Sequence, residues 1–216
     1  MNPSLFQPKQ FTTPPSLVLV PYFPTTNLLA NLQRQALRRH YFLQSTLLWF
    51  EKAAVLSGFI GYPHLLTLLP LITDLPDKEI YFLGSAGAIH PRFSKPTALQ
   101  VSKIYSSSIF KRFSRKSSFP LKVFPAGSFP SVRGVSVDII QRETPSWLTE
   151  QRLEKIDIVE MELFPLRWFL QKPFHALVVL SDRVESSGIR PFNEKQKFQR
   201  EFERAFNYII KYINCG

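Results

Sequence analysis

Apolar positions follow two rhythms along this chain. Short unbroken apolar runs closed by proline, glycine or an acid alternate with longer segments of helical spacing. Ser16-Leu17-Val18-Leu19-Val20, closed by Pro21, predicts a buried first strand. Leu28 to Leu37 has helical spacing, follows a loop that offers a cap, and ends in the basic cluster Arg38-Arg39-His40. The aromatic stretch after it predicts strands across Phe42 to Phe50. A glycine turn from Ser57 leads into a helix from Leu65. Strands are expected over Glu79–Leu83, Leu99–Ile109 and Val132–Ile140, and a helix over Pro145–Lys155 capped by Thr144. Asp157 to Asp182 reads as a short run, a helix, a turn at Pro173 and a buried strand. In the last segment, Phe198, Phe202, Ala205, Phe206, Ile209, Ile210 and Ile213 share one side of a helix expected over Pro191–Ile213. Strands alternating with helices imply an α/β fold with a central sheet.

Length and composition narrow this picture. A chain of 216 residues favours one domain, expected over 16–216, after an arm over 1–15 that carries four prolines. Cys215 is the only cysteine, which leaves neither a disulfide framework nor a zinc spacing and fits a reducing, cytoplasmic setting. The N-terminus lacks the charged-then-apolar pattern of a signal peptide. The longest apolar stretch, Leu65 to Leu75, is broken by Pro70 and Asp74, so no membrane association is expected.

The net charge of +11 is unevenly placed. No acid precedes Glu51, and none lies between Glu79 and Asp138, a gap that holds Arg92, Lys95, Lys103, Lys111, Arg112, Arg115, Lys116, Lys122 and Arg133. Such a gap fits either a patch for nucleic acid or another polyanion, or a solvated basic surface. The second reading is preferred because no nucleic-acid-binding motif accompanies the charge.

Two acids bracket the segment with most chemistry in it. Ligands of open α/β sheets bind outside the carboxyl ends of the strands. That rule places Asp182 at such an end and lets Glu162 face the same crevice. Gly84-Ser85-Ala86-Gly87-Ala88, after the strand from Glu79, reads as a turn whose small residues let backbone N–H groups approach a ligand. A merely tight strand exit would look the same.

Three segments in this order carry a resemblance: Ser57-Gly58-x-x-Gly61, then Gly84-Ser85-Ala86-Gly87-Ala88, then Val159-Glu160-Met161-Glu162 with a later Leu180-Ser181-Asp182. Together they resemble the purine nucleoside phosphorylase and nucleosidase superfamily, above all the methylthioadenosine/adenosylhomocysteine nucleosidases and the hexameric-type phosphorylases, over roughly Leu17 to Ile213. The resemblance implies a single-domain three-layer αβα sandwich around a mixed, partly closed sheet. It implies that Glu162 accepts hydrogen bonds from the ribose 2′- and 3′-hydroxyls and that Met161 packs on the ribose. By the same likeness Asp182 protonates or hydrogen-bonds purine N7 as the glycosidic bond breaks. Ser181 would orient the base, and Ser85 with Gly84, Ala86 and Gly87 would face the nucleophile. Ile139 or Ile140 falls where the family places a base-stacking aromatic. The implied ligand is a purine nucleoside or base, with no cofactor and no metal. The implied assembly is a homodimer or higher homo-oligomer, for which the aromatic stretch from Tyr41 to Phe50 is the candidate interface.

The departures bear on mechanism. The nucleosidases supply a water-activating glutamate from the loop after the first strand. Here that loop is Pro21 to Asn27, and Thr25 or Thr26 occupies the place. Threonine can position water but cannot act as a base near neutral pH. The phosphorylases need a glycine and an arginine in that loop and an arginine two residues before the GS turn. This chain has Tyr22, Thr26 and Phe82 there, and Arg38 or Arg39 is the alternative source, from a neighbouring subunit. Three readings remain, in this order: a divergent nucleosidase that uses water, a non-catalytic nucleoside-binding relative, and a polyanion binder that uses its basic surface.

Overall fold

The computed structural model describes residues 14–42, 45–59, 78–106, 117–137 and 144–215. They form a mixed α/β unit built on an eleven-stranded sheet. The strands are β1 (Ser16–Val20), β2 (Arg38–Phe42), β3 (Ser45–Trp49), β4 (Ala53–Ser57), β5 (Glu79–Ala88), β6 (Ala98–Ser106), β7 (Ser118–Pro120), β8 (Ser131–Ser136), β9 (Ile158–Glu160), β10 (His175–Glu185) and β11 (Gly188–Pro191). The helices are α1 (Thr26–Gln35), α2 (Pro145–Leu153), α3 (Leu163–Leu170) and α4 (Lys195–Cys215).

The sheet runs β11-β10-β6-β8-β9-β5-β1-β4-β3-β2, with β7 on β6, and a further pairing joins β10 to β5. That pairing closes β5, β10, β6, β8 and β9 into a five-stranded ring, from which β1, β4, β3 and β2 extend as an open wing. β5 and β10 run parallel to each other, whereas β6 is antiparallel to β10 and β9 antiparallel to β5. The sheet is therefore mixed.

β1 lies between β4 and β5, parallel to both, and is buried along its whole length. Its alternate residues divide between two packed faces. Leu17 and Leu19 join Ile80, Phe82, Ala176 and Val178 in a core that includes Leu163, Phe164 and Leu166 of α3. Val18 and Val20 join Tyr81, Leu83, Leu177 and Val179 in a second core under α4. The stripe Phe202, Ala205, Phe206, Ile209 and Ile213 holds α4 in place. Burying each of the larger of these side chains contributes roughly 1.5–3 kcal/mol.

Two caps expected from sequence are present. The Thr25 hydroxyl accepts from Leu28 N at 3.3 Å, and the Thr144 hydroxyl accepts from Trp147 N at 3.3 Å.

Four local expectations are corrected. Arg38-Arg39-His40 does not end a helix; it belongs to edge strand β2, which pairs with β3. Gly84-Ser85-Ala86-Gly87-Ala88 is not a turn, because β5 continues through it to Ala88. Asp182 does not end its strand, since β10 runs on to Glu185. The strand β11, antiparallel to that extension, occupies residues expected to be loop and helix start. The helix expected from Leu65 and the glycine at position 61 lie outside the described residues, as does most of the arm. Among the described residues, no helix is long and apolar enough to cross a membrane.

Candidate active site

The parallel pairing of β5 and β10 is regular from His175↔Tyr81 to Leu180↔Ala86, then shifts so that Asp182, not Ser181, stands opposite Gly87. One extra residue in a strand reverses which face the following side chains take. The bulge at Ser181 thus turns Asp182 onto the face of Gly87. A Cβ on Gly87 would lie 2.7 Å from Asp182 Oδ1, 3.1 Å from Val159 Cγ1 and 3.2 Å from Val184 Cγ2. Glycine is needed there for space: the carboxylate lies over the strand where a side chain would stand. Ser181, displaced by the bulge, donates its hydroxyl to Asp182 Oδ2 at 2.5 Å and approaches Ala86 O at 3.4 Å. Burial raises the Asp182 pKa above the ordinary carboxylate value, and the Ser181 hydrogen bond partly offsets this.

On the other side of β5, Gly87 pairs with Val159 of β9. Asp182, Gly87 and Val159 therefore form one row across three strands, with side chains on one face. Met161, two residues beyond Val159, is half-buried and packs on the apolar group that contains Val159, Val184 and Ile89. Ser85, two residues before Gly87, takes the same face and is exposed. Gly84 and Ala86 take the opposite face and are buried; a Cβ on Gly84 would meet the Phe82 ring at 2.7 Å. Pairing thus brings Ser85, Gly87, Met161 and Asp182 to one wall. It turns Ala86 away into the core, with only its carbonyl reaching Ser181.

Glu162 is buried and stands at the N-cap of α3 without a side-chain capping bond. The acid that caps α3 is Glu160, which carried no role in the sequence reading. Its Oε2 accepts from Glu162 N at 2.6 Å and from Leu163 N at 2.7 Å, and its Oε1 accepts from the Ser136 hydroxyl. Ser136 Oγ in turn accepts from Phe164 N at 2.8 Å. Three of the free amides at the start of α3 are thereby satisfied, directly or through the serine. Burial, and then the neighbouring Glu162 carboxylate, raise the Glu160 pKa to about 8, while Ser136 and the two amides work the other way. Its alternation with Ile158 on β9 was a visible sign that this carboxyl points inward.

The loop after β1 forms a separate feature. A cavity of about 360 Å³ is bounded by Tyr22, Pro24, Thr25, Thr26, Thr46 and Gly58, among others, and its lining includes none of Ser85, Glu162 or Asp182. Among the described residues, no carboxylate lines it. The Thr25 hydroxyl already serves as the cap of α1. Arg39 is exposed on β2. Ile139 and Ile140 lie outside the described residues. No group of three or more His, Cys, Asp or Glu that could hold a metal ion occurs among the described residues.

Known structures share this architecture. The Helicobacter pylori nucleosidase with 5′-methylthioadenosine in its active site superposes with a TM-score of 0.67 at 12% identity, covering 94% of this chain and 99% of that one. The Toxoplasma gondii purine nucleoside phosphorylase in complex with immucillin-H gives 0.65 at 16% identity, covering 89% and 88%. A futalosine hydrolase mutant from Helicobacter pylori gives 0.65 at 12% identity, covering 94% and 100%. This chain has the nucleoside phosphorylase/nucleosidase fold. No protein-family model matches the sequence, and no curated protein does.

Proposed function

We propose that this nucleosidase-fold protein hydrolyses the N-glycosidic bond of a purine nucleoside, of the methylthioadenosine/adenosylhomocysteine type. The observation that carries the reading is Asp182: a carboxyl seated over Gly87, held above its ordinary pKa by burial and fixed by the Ser181 hydroxyl. A carboxyl that keeps its proton longer is suited to give it to purine N7 as the base leaves, an effect worth roughly 10²–10⁴-fold in rate. Glu162 would hold the ribose hydroxyls, Met161 would pack on the sugar, and Ser85 would face the anomeric side. The three-layer arrangement belongs to the same reading, with α1 and α4 over one face of the sheet and α3 over the other. So do a cytoplasmic location and a homo-oligomer that uses the stretch from Tyr41 to Phe50.

A second reading, a nucleoside-binding protein without turnover, is favoured by the first loop. Its Thr25 hydroxyl is committed to capping α1, and no carboxylate among the described residues lines the cavity there. The test is incubation with methylthioadenosine, adenosylhomocysteine, inosine and adenosine, with and without phosphate, reading free base by chromatography. Base release without phosphate that is lost in Asp182→Asn supports the hydrolase. Saturable nucleoside binding without release supports the second reading. Failure to bind any of the four rejects both.

A further inference from the structure

A cavity of about 440 Å³ opens between the ends of β6 and β8 and helix α2, bounded by Tyr105, Ser106, Ser117, Arg133, Gln151 and Glu154. None of the residues assigned above to sugar or base lines it. Lys103 and Arg133 are register partners on the adjacent strands β6 and β8. Like charges placed opposite one another destabilise a sheet unless something answers them. Both cations lie against the same ring: Lys103 Nζ is 4.9 Å and Arg133 Cζ 5.0 Å from the Tyr105 centroid, and Arg133 Nη2 donates to the Tyr105 hydroxyl. Neither has an ion pair among the described residues. The nearby Asp157 is taken by Arg92 at 2.7 Å and by the Arg133 backbone N–H at 3.0 Å.

The second observation is independent of charge. Gln151 is only 3% exposed and lines the cavity. Its side-chain amide makes no hydrogen bond among the described residues, although its backbone carbonyl accepts from Ile156 N, and neither amide atom is sealed from solvent. The amide of this buried residue therefore opens onto the cavity, where a ligand can hydrogen-bond it. Glu154 adds an acceptor at the rim and would repel a bare dianion. An occupant must therefore offer negative charge at one end and hydroxyl donors at the other.

We propose that this cavity binds a small phosphate monoester that carries free hydroxyls, a sugar phosphate or mononucleotide in size and chemistry. Arg133, with Lys103 behind it, meets the phosphoryl oxygens. The Gln151 amide donates to or accepts from the ligand, and Glu154 accepts from its hydroxyls. The volume lies in the range of small-molecule sites, roughly 300–1,000 Å³.

Calorimetric titration of the full chain with ribose 5-phosphate, ribose and inorganic phosphate tests this. Ribose 5-phosphate is expected to bind, more weakly as salt rises, with inorganic phosphate weaker and ribose silent. Arg133→Gln should weaken ribose 5-phosphate by about tenfold or more, and Gln151→Leu should weaken it too. Asp182→Asn should bind it as wild type does, which separates this site from the proposed nucleoside site. If Arg133→Gln does not fold, Lys103→Gln carries the same expectation in direction. Ribose 5-phosphate binding no better than ribose, inorganic phosphate binding as tightly as the ester, or unchanged affinity in the folded Arg133 or Lys103 variant would overturn the assignment.

Discussion

Replacing Glu160 by alanine strips the acceptor from two amides at the buried start of α3, Glu162 N at 2.6 Å and Leu163 N at 2.7 Å. Phe164 N keeps Ser136 Oγ at 2.8 Å. A buried donor left without a partner costs about 1–3 kcal/mol, so two cost about 2–6 kcal/mol. That is a large share of the roughly 5–15 kcal/mol that holds a domain folded. Glu160→Gln is the control. Its amide oxygen can still accept both N–H groups, and its NH₂ can donate to Ser136 Oγ, which has a second lone pair. Near pH 4, where the carboxyl is largely protonated in the folded and the unfolded chain alike, the glutamine variant should lie within about 1 kcal/mol of wild type, because the two groups then have nearly the same shape.

The pH dependence has a definite sign. An acid whose pKa is higher in the folded than in the unfolded chain binds more protons when folded, so stability falls as pH rises between the two values. For Glu160 that window runs from the ordinary carboxylate value up to about 8. The slope within it is at most about 1.4 kcal/mol per pH unit. Glu160→Gln removes that slope, so its stability relative to wild type should increase between pH 5 and pH 9. Urea unfolding followed by circular dichroism at pH 4, 5, 7 and 9 measures both effects. The reasoning is refuted if alanine costs less than about 1 kcal/mol at pH 5, where the proton-linked loss of wild type is still small, or if the glutamine variant keeps the wild-type slope.

Three further outcomes are expected. Gly87→Ala places a Cβ 2.7 Å from Asp182 Oδ1; overpacking of this kind costs about 1–3 kcal/mol, and moving the carboxyl should lower base release far more than it lowers Tm, which parallel kinetics and melting would show. If Asp182 acts as its protonated form, base release should fall as pH rises through its elevated pKa, and Asp182→Asn should lose that limb along with most of the rate. His175 is stacked on Tyr81 with ring centroids 5.4 Å apart, its Nδ1 has no partner among the described residues, and burial lowers its pKa. Stability should therefore drop as pH falls below the ordinary histidine value of about 6.5, and His175→Phe should flatten that acid-side loss in melting curves.

The elements legible in the chain are those specified by neighbours close in sequence. The run from Ser16 to Val20, the caps at Thr25 and Thr144 and the stripe from Phe202 to Ile213 carry their own period or their own hydrogen-bond donor and acceptor. The order of helix and strand between Asp157 and Asp182 was visible for the same reason. The acids bracketing it, with the small residues after Glu79, pointed to a fold that the structure has.

Pairing partners far away in sequence decided the rest. Gly84 to Ala88 has the composition of a turn. It stays extended because β10 supplies backbone partners along it and β9 adds them at Gly87 and Ala88, and paired strand backbone gains more than a turn offers. Arg38 to His40 becomes strand because β3 pairs with it. β11 has no apolar period at all and exists by pairing with the end of β10. The orientation of Asp182 depends on a single extra residue at Ser181, and the burial of Glu160 on a helix start that closes over it. A bulge and a buried cap are set by register and packing between separate segments. The chain could name the acids, but only the closed sheet determines which of them faces the wall beside Gly87 and which turns inward to hold α3.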